Sequence, residues 1–410
     1  MKKQRVILII SCISLLLVGG FLAQKSWQRP ALLNFETSAP EGEYVIGLYG
    51  HSMDLTQDGG FIVAGYIKYH SKLKRDHDIW VVKVDAHGEQ EWCNTFGGWS
   101  TDRAWAIQAL EKDEYLMLGE TRSFGDDYQG FLISLDGSGR QKWGSLIGSS
   151  GPYHGKDFIL DDSGLLFITG SAWSDSLERE GYYFGRANSE GEMLFETTID
   201  HELPGGAVSL TRLRDGDLVL LGNLQTEKDR SLDMGLVRLR PDGTVISTKR
   251  FGSVYSDEAK SIASTEDGGY LITGIEYNDE TNKRDMVVYR FSVSDELEFK
   301  NYYGGASEDA GHKIIASSDG GYAVVGITQS FGQGFRDVYL IKISETGEVE
   351  WSQTYGGKKT EWAYDIKETA DGGYLISSSS KSMGQNATDI LIIKVDSNGN
   401  KVWERVYCGP

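Results

Sequence analysis

The sequence predicts an all-β ring of seven four-stranded blades, a seven-bladed β-propeller, and two evenly spaced columns of residues predict it. The first column is a glycine: Gly65, Gly119, Gly170, Gly222, Gly274 and Gly326, with Ser378 in the seventh place, at steps of 51 to 54 residues. The second is mostly aromatic: Trp92, Trp143, Phe195, Ser247, Phe299, Trp351 and Trp403, at steps of 51 or 52. A unit repeated at this period buries its apolar face only against neighbouring copies, so the fold belongs to the array.

One unit justifies its four strands. Residues 312–317 lead into Asp319-Gly320-Gly321 and the β-rich run 322–326, a hairpin of strands A and B. After a polar loop at 329–334, the alternating run 337–342 reads as strand C, and Glu345-Thr346-Gly347 turns it into strand D at 349–355. That C–D turn carries Gly88, Gly139, Gly191, Gly243, Gly347 and Gly399 in the other units, with Asp295 as the exception; both residue types tolerate the positive φ such turns require.

Strands B and C are the most apolar and read as interior strands, which leaves A to line the central channel and D to form the rim. Seven small residues, Gly50, Ala104, Gly155, Ala207, Ala259, Gly311 and Ala363, recur where the A strands crowd the axis. Three residues later stand Met53, Ile107, Phe158, Leu210, Ile262, Ile314 and Ile366, the expected packing layer between blades. On this phasing the blades fall near 43–98, 99–149, 150–201, 202–253, 254–305, 306–357 and 358–410, and the ring closes without a shared strand. A C-D-A-B phasing would lock the ring with both termini, but it would place the polar strands centrally and ranks second.

The N-terminal segment is a separate object. Lys2, Lys3 and Arg5 precede an uncharged, mostly apolar run at 6–23, the form of a signal peptide or membrane anchor, so residues 1–23 predict export with the ring outside the cytoplasmic membrane. Ile9-Ile10-Ser11-Cys12 also has the outline of a lipobox, with Cys12 as the lipid-bearing residue, although the apolar run continues well beyond it. Residues 24–42, with Pro30 and Pro40, read as a tether. The chain carries 41 Lys and Arg against 60 Asp and Glu, a net charge of −19, which argues against nucleic acid as a partner. Cys93 and Cys408 lie on adjacent rims but at different heights, so two free thiols are expected.

Catalytic motifs are absent: there is no His-Glu-x-x-His, Cys-x-x-Cys or Gly-x-Ser-x-Gly, and no organised metal or cofactor set. Gly155-Lys156-Asp157 lacks the rest of a phosphate loop and falls where every unit begins strand A. The regular Asp78, Asp233, Asp285, Asp337 and Asp389 read as loop caps, and the regular Lys83, Arg186, Arg238, Arg290, Lys342 and Lys394 as side chains snorkelling over apolar surface. A ligand site belongs where the copies differ. One residue after the small column the chain has His51, Trp105, Lys156, Val208, Lys260, His312 and Tyr364, and the loops before strand A add Asp102, Asp257, Asp309, Glu361 and Trp362. These are the candidate contacts for a sugar or peptide. The loop after strand B of the first blade, with His70, Lys72, Lys74, Arg75 and His77, is a second, basic candidate surface.

The run from Asp319-Gly-Gly-Tyr322 through Ser330-Phe-Gly332, Asp337-x-Tyr-Leu-Ile-Lys342 and Trp351-x-x-Thr-Tyr-Gly-Gly357 resembles the exported β-propeller repeats of many bacterial and archaeal surface proteins and lipoproteins. The resemblance spans roughly residues 44–410 and implies fold and compartment but no activity. WD, kelch and quinone-binding propeller patterns fit poorly. The expected function is a non-catalytic recognition or scaffold module that binds a protein or glycan at the cell envelope, touches the membrane only through its N-terminal segment and needs no cofactor. The alternative is a polysaccharide lyase or hydrolase with His51, His312, Asp102, Asp309 and Glu361 as acid–base groups.

Overall fold

A computed structural model describes residues 44–70, 77–111, 113–148, 152–176, 178–226 and 231–407. The N-terminal segment with Cys12, the tether and Cys408 lie outside the described residues. Seven sheets of four antiparallel strands follow one another, each in the plain order A-B-C-D, from Tyr44–Leu55, Phe61–His70, His77–Val84 and Gln90–Phe96 in blade 1 to Glu361–Glu368, Tyr374–Ser380, Asp389–Val395 and Lys401–Tyr407 in blade 7. This is the A-B-C-D phasing, and among the described residues no strand is shared across the closure.

The core is built between blades. Seven apolar clusters each straddle two neighbours; one joins Ile62, Ile79 and Val81 of blade 1 to Met117, Phe131 and Ile133 of blade 2, and another joins Leu48 and Met53 of blade 1 to Ile390 and Ile392 of blade 7. The ring is therefore closed by the same packing that builds it. Main-chain bonds reinforce several of these junctions, with Tyr153 N donating to Tyr128 O, Asp257 N to Leu232 O, Glu361 N to Arg336 O and, at the closure, Leu48 N to Thr388 O at 3.0 Å.

Both columns that predicted the fold have a mechanical cause. Each A strand carries a β-bulge immediately after its small residue: Gly50 pairs with Gly65 and Ser52 with Ala64, so His51 faces no partner in strand B. The same irregularity falls at Trp105, Lys156, Val208, Lys260, His312 and Tyr364. The bulge drives a carbonyl against the repeat glycine; a Cβ on Gly326 would stand 1.8 Å from Ala310 O, and one on Gly119 2.0 Å from Arg103 O. The aromatic column on strand D lies against the C–D turn of the next blade, where a Cβ on Gly191 would stand 2.3 Å from the Trp143 ring. Two exceptions explain each other. Ser247 has no ring, and the next turn accordingly holds Asp295 at φ 61° in place of glycine.

The basic column is corrected by the structure. These side chains do not snorkel to water: Lys83 and Lys342 are buried, and their ammonium groups bind the aspartate of the A–B turn, Asp58 at 2.7 Å and Asp319 at 2.9 Å. Each ties strand C back onto the A–B turn. The aspartates opening strand C do cap loops, as Asp337 does for the Gln333 and Gly334 amides at 2.9 Å.

Candidate functional site

Strand direction places the D–A and B–C loops on one face of the ring and the tight A–B and C–D turns on the other. All six exposed aromatic side chains among the described residues, Trp99, Phe124, Trp173, Tyr255, Phe331 and Phe335, lie on the loop face. At its centre the seven bulged residues converge on a cavity of about 410 Å³ at the channel mouth. A second cavity of about 390 Å³ continues it and shares Ser52, Ala106, Asp157, Lys313 and Asp365. A bulge frees one residue per blade from pairing and re-aims it, so this ring is the one layer whose identity the sheet leaves free.

On one side of the mouth the ring is aromatic and cationic. The His51 ring lies 4.6 Å from both the Trp105 and the Tyr364 rings and 5.2 Å from Tyr66, and Lys156 Nζ sits 3.9 Å above Trp105. Behind them, buried Glu120 accepts from His154 Nδ1 at 2.7 Å and from Arg103 at 3.2 Å, and faces Lys156 at 3.6 Å. Burial alone would raise this carboxyl, but the His154 hydrogen bond and the charges of Lys156 and Arg103 hold it down at about 2. Two polar atoms here, His51 Nε2 and Trp105 Nε1, are buried and have no hydrogen-bond partner among the described residues.

Burial, then the charges of Lys156 and Arg103, lowers the His51 imidazole to about 3, and burial with Lys260 lowers His312 to about 4. Both rings are neutral at physiological pH; His312 Nδ1 donates to the Ala363 carbonyl, which leaves Nε2 as its acceptor. Depressed folded-state values mean that their stability contribution is full above pH 6.5 and is lost as pH falls below it. Burial raises Asp102 and Asp257 to about 6, which acts in the opposite sense between about pH 4 and 6. The test is therefore a difference. At pH 4.5 the double variant His51→Gln, His312→Gln is expected to recover on the order of 2 kcal/mol relative to its standing at pH 7.5, allowing for the rings' partial exposure, measured by paired thermal melts.

The loop carboxylates are not exposed on the face, which corrects the expectation for Asp102, Asp257 and Glu361, while Asp309 is buried with them but lines a neighbouring pocket. All four are buried. Asp102 accepts from Gly98 N at 2.9 Å, Ser123 Oγ at 2.7 Å and Thr121 Oγ1. Asp309 Oδ2 accepts from Gly305 N at 2.8 Å and Ser330 Oγ at 2.7 Å, and Glu361 accepts from Gly357 N and Ser380 Oγ. Asp257 holds Ser253 and Tyr277 N. Each carboxylate staples the D–A loop of its blade, Asp102 and Asp309 to the B–C loop and Asp257 and Glu361 to the end of strand B. Trp362 is half-buried beneath Lys381, whose Nζ lies 5.0 Å from the ring.

The arrangement also includes residues that the repeat columns did not point to: Tyr66, Arg103, Glu120 and His154 near blade 2, and Arg284, Gln329 and Arg336 between blades 5, 6 and 7. Arg103 and His154 sit at the start of A strands, and the others on strand B, strand C or the B–C loops, which share the face with the D–A loops. Of the basic first-blade loop, 71–76 lie outside the described residues, and His77 is buried beside Tyr66, 4.9 Å between rings.

The fold defines the class, a β-propeller. The chain is similar to the Neurospora crassa Pan2 WD40 domain, with TM-score 0.53 and 10% identity over 85% of this chain and 94% of that one. It is similar to puromycin hydrolase, with TM-score 0.53 and 13% identity over 87% of this chain but 54% of that one, so it spans about half of that enzyme. A third similar structure is the complex of KlAtg21 with the coiled coil of AgAtg16, with TM-score 0.50 and 11% identity over 88% of this chain. At such identities the likeness is one of fold. No protein-family model and no curated protein matches the chain.

Proposed function

We propose that this chain is a non-catalytic recognition module, exported and held outside the cytoplasmic membrane, that binds a protein or glycan partner of the cell envelope on its loop face, with the channel mouth as the specificity pocket. The observation that carries the reading is the ring of bulged residues: seven equivalent positions freed from pairing and filled by five residue types, with the buried His51 Nε2 and Trp105 Nε1 still lacking partners among the described residues. A ligand that supplies an acceptor to the indole and a donor to the imidazole satisfies both. The exposed aromatics on the same face give an apolar rim around this polar centre. Neutral histidines and stapled carboxylates favour binding over acid–base chemistry at the mouth.

The test is capture from an envelope extract with the full-length protein as bait. Trp105→Ala is expected to weaken capture at least tenfold, since a buried indole at a contact centre contributes about 2 kcal/mol or more. Capture unchanged by Trp105→Ala and by Lys260→Glu, or turnover of a polysaccharide that disappears in His312→Gln, would overturn the reading.

A further inference from the structure

We propose that the pocket between blades 5, 6 and 7 is a subsite for a hexuronate, a six-membered sugar ring bearing a carboxylate; the inference rests on the recognition reading and deepens it. The pocket has a volume of about 230 Å³, the size of one sugar ring, and opens beside the channel mouth, sharing His312 with it. Three groups set its chemistry.

The first is Arg336. Its main chain is fixed by a bridge to Thr360 and by Glu361 N donating to its carbonyl at 2.9 Å. With the Gln329 amide oxygen turned toward it, Nε and Nη2 donate there at 3.2 and 3.3 Å, and the half-buried guanidinium has no carboxylate partner among the described residues. In a chain of net charge −19, an uncompensated arginine in a pocket is a site for an anion. The second group is Asp309. Its Oδ2 staples the loop, while Oδ1 is buried without a donor in a residue 2% exposed. A lone pair held this way calls for a hydroxyl or amide hydrogen. The third is the Trp362 indole, a flat apolar wall for the C–H face of a ring.

Two further charges bear on the anion. Arg284 Nη2 is paired with Glu258 at 2.7 Å while its Nε is buried and unpartnered, and Glu308, exposed at the rim, is the pocket's other carboxylate. A carboxylate for Arg336, a hydroxyl for Asp309 and a C–H face for Trp362 meet in one small molecule class, the uronates. A neutral sugar leaves Arg336 unpaired, and an acidic peptide side chain offers neither the hydroxyl nor the ring face.

The experiment is calorimetric titration of the purified full-length protein with the trimers of galacturonate, glucuronate and mannuronate, beside a neutral galactose trimer and a Glu-rich peptide. The expected result is binding of at least one uronate trimer, at least tenfold tighter than the neutral trimer or the peptide. Arg336→Gln and, separately, Trp362→Leu each weaken it at least tenfold, with melting temperatures close to wild type. No uronate binding, or equal binding of the neutral trimer or the peptide, overturns the proposal. If envelope capture persists and still depends on Trp105 while no uronate binds, only the subsite falls; if capture also fails, the recognition reading falls with it.

Discussion

Gly326→Ala is expected to destabilise the protein by about 4 kcal/mol or more, a fall in melting temperature of about 5 °C or more, although it adds a single methyl group. The new Cβ would meet Ala310 O at 1.8 Å, Ala310 C at 2.8 Å and Gly311 Cα at 3.0 Å, all main-chain atoms of the bulged A strand that no rotamer change can move. Relief requires the A–B pair of blade 6 to part, which would disturb the clusters on both of its sides. Ser378→Ala is the control in the same column. That position already carries a side chain, and the change removes one hydrogen bond, Ser378 Oγ to Leu391 O, for about 1 kcal/mol. Thermal melts of the two variants side by side check the pair; a Gly326→Ala melt within 2 °C of wild type would remove the bulge as the cause of the repeat.

The closure of the ring gives the second large effect. With no strand shared, blade 7 is stitched to blade 1 by polar side chains: Asp365 Oδ2 accepts from Met53 N at 2.8 Å, Ser377 Oγ donates to Gly50 O at 2.9 Å and Ser379 Oγ to Leu48 O at 3.2 Å. Within the run of serines at 377–380, this task explains Ser377 and Ser379, while Ser378 and Ser380 bond inside blade 7 to Leu391 O and Glu361. Replacing Asp365, Ser377 and Ser379 together by alanine orphans a buried amide and removes two further bonds, about 4 kcal/mol in all. The loss should concentrate at the seam, so the amides of residues 48–53 exchange roughly a thousandfold faster while those of blades 3 to 5 keep their protection. Uniform loss of protection, or none, would contradict a seam at this place.

Much of this was legible in the chain because repetition is a local signal. The period, the strand phasing, the small column at the axis and the apolar layer behind it follow from comparing seven copies, and the heterogeneous column from His51 to Tyr364 marks the bulge without revealing that it is one. The buried role of the loop carboxylates was harder to read, since it joins residues 19 apart. A signal existed all the same: Asp102, Asp309 and Glu361 stand opposite Thr121, Thr328 and Ser380 on strand B, whereas the blades with Tyr153 and Gly205 in that place have Ala172 and Leu224. The matching of Ser247 with Asp295 and the meeting of Arg336 with Trp362 join different blades, and only the closed ring brings such residues together.

The central claim is that recognition falls on the loop face, at the ring of bulged residues. Site-specific photo-crosslinking of the full-length protein in envelope extract tests it, with the reactive group placed in turn at Val208 of the mouth, Asn398 of the opposite turn face and Val402 of the outer rim. The account predicts a discrete adduct from Val208 that Trp105→Ala abolishes, and none from the other two. An adduct confined to Asn398 or Val402 would contradict it.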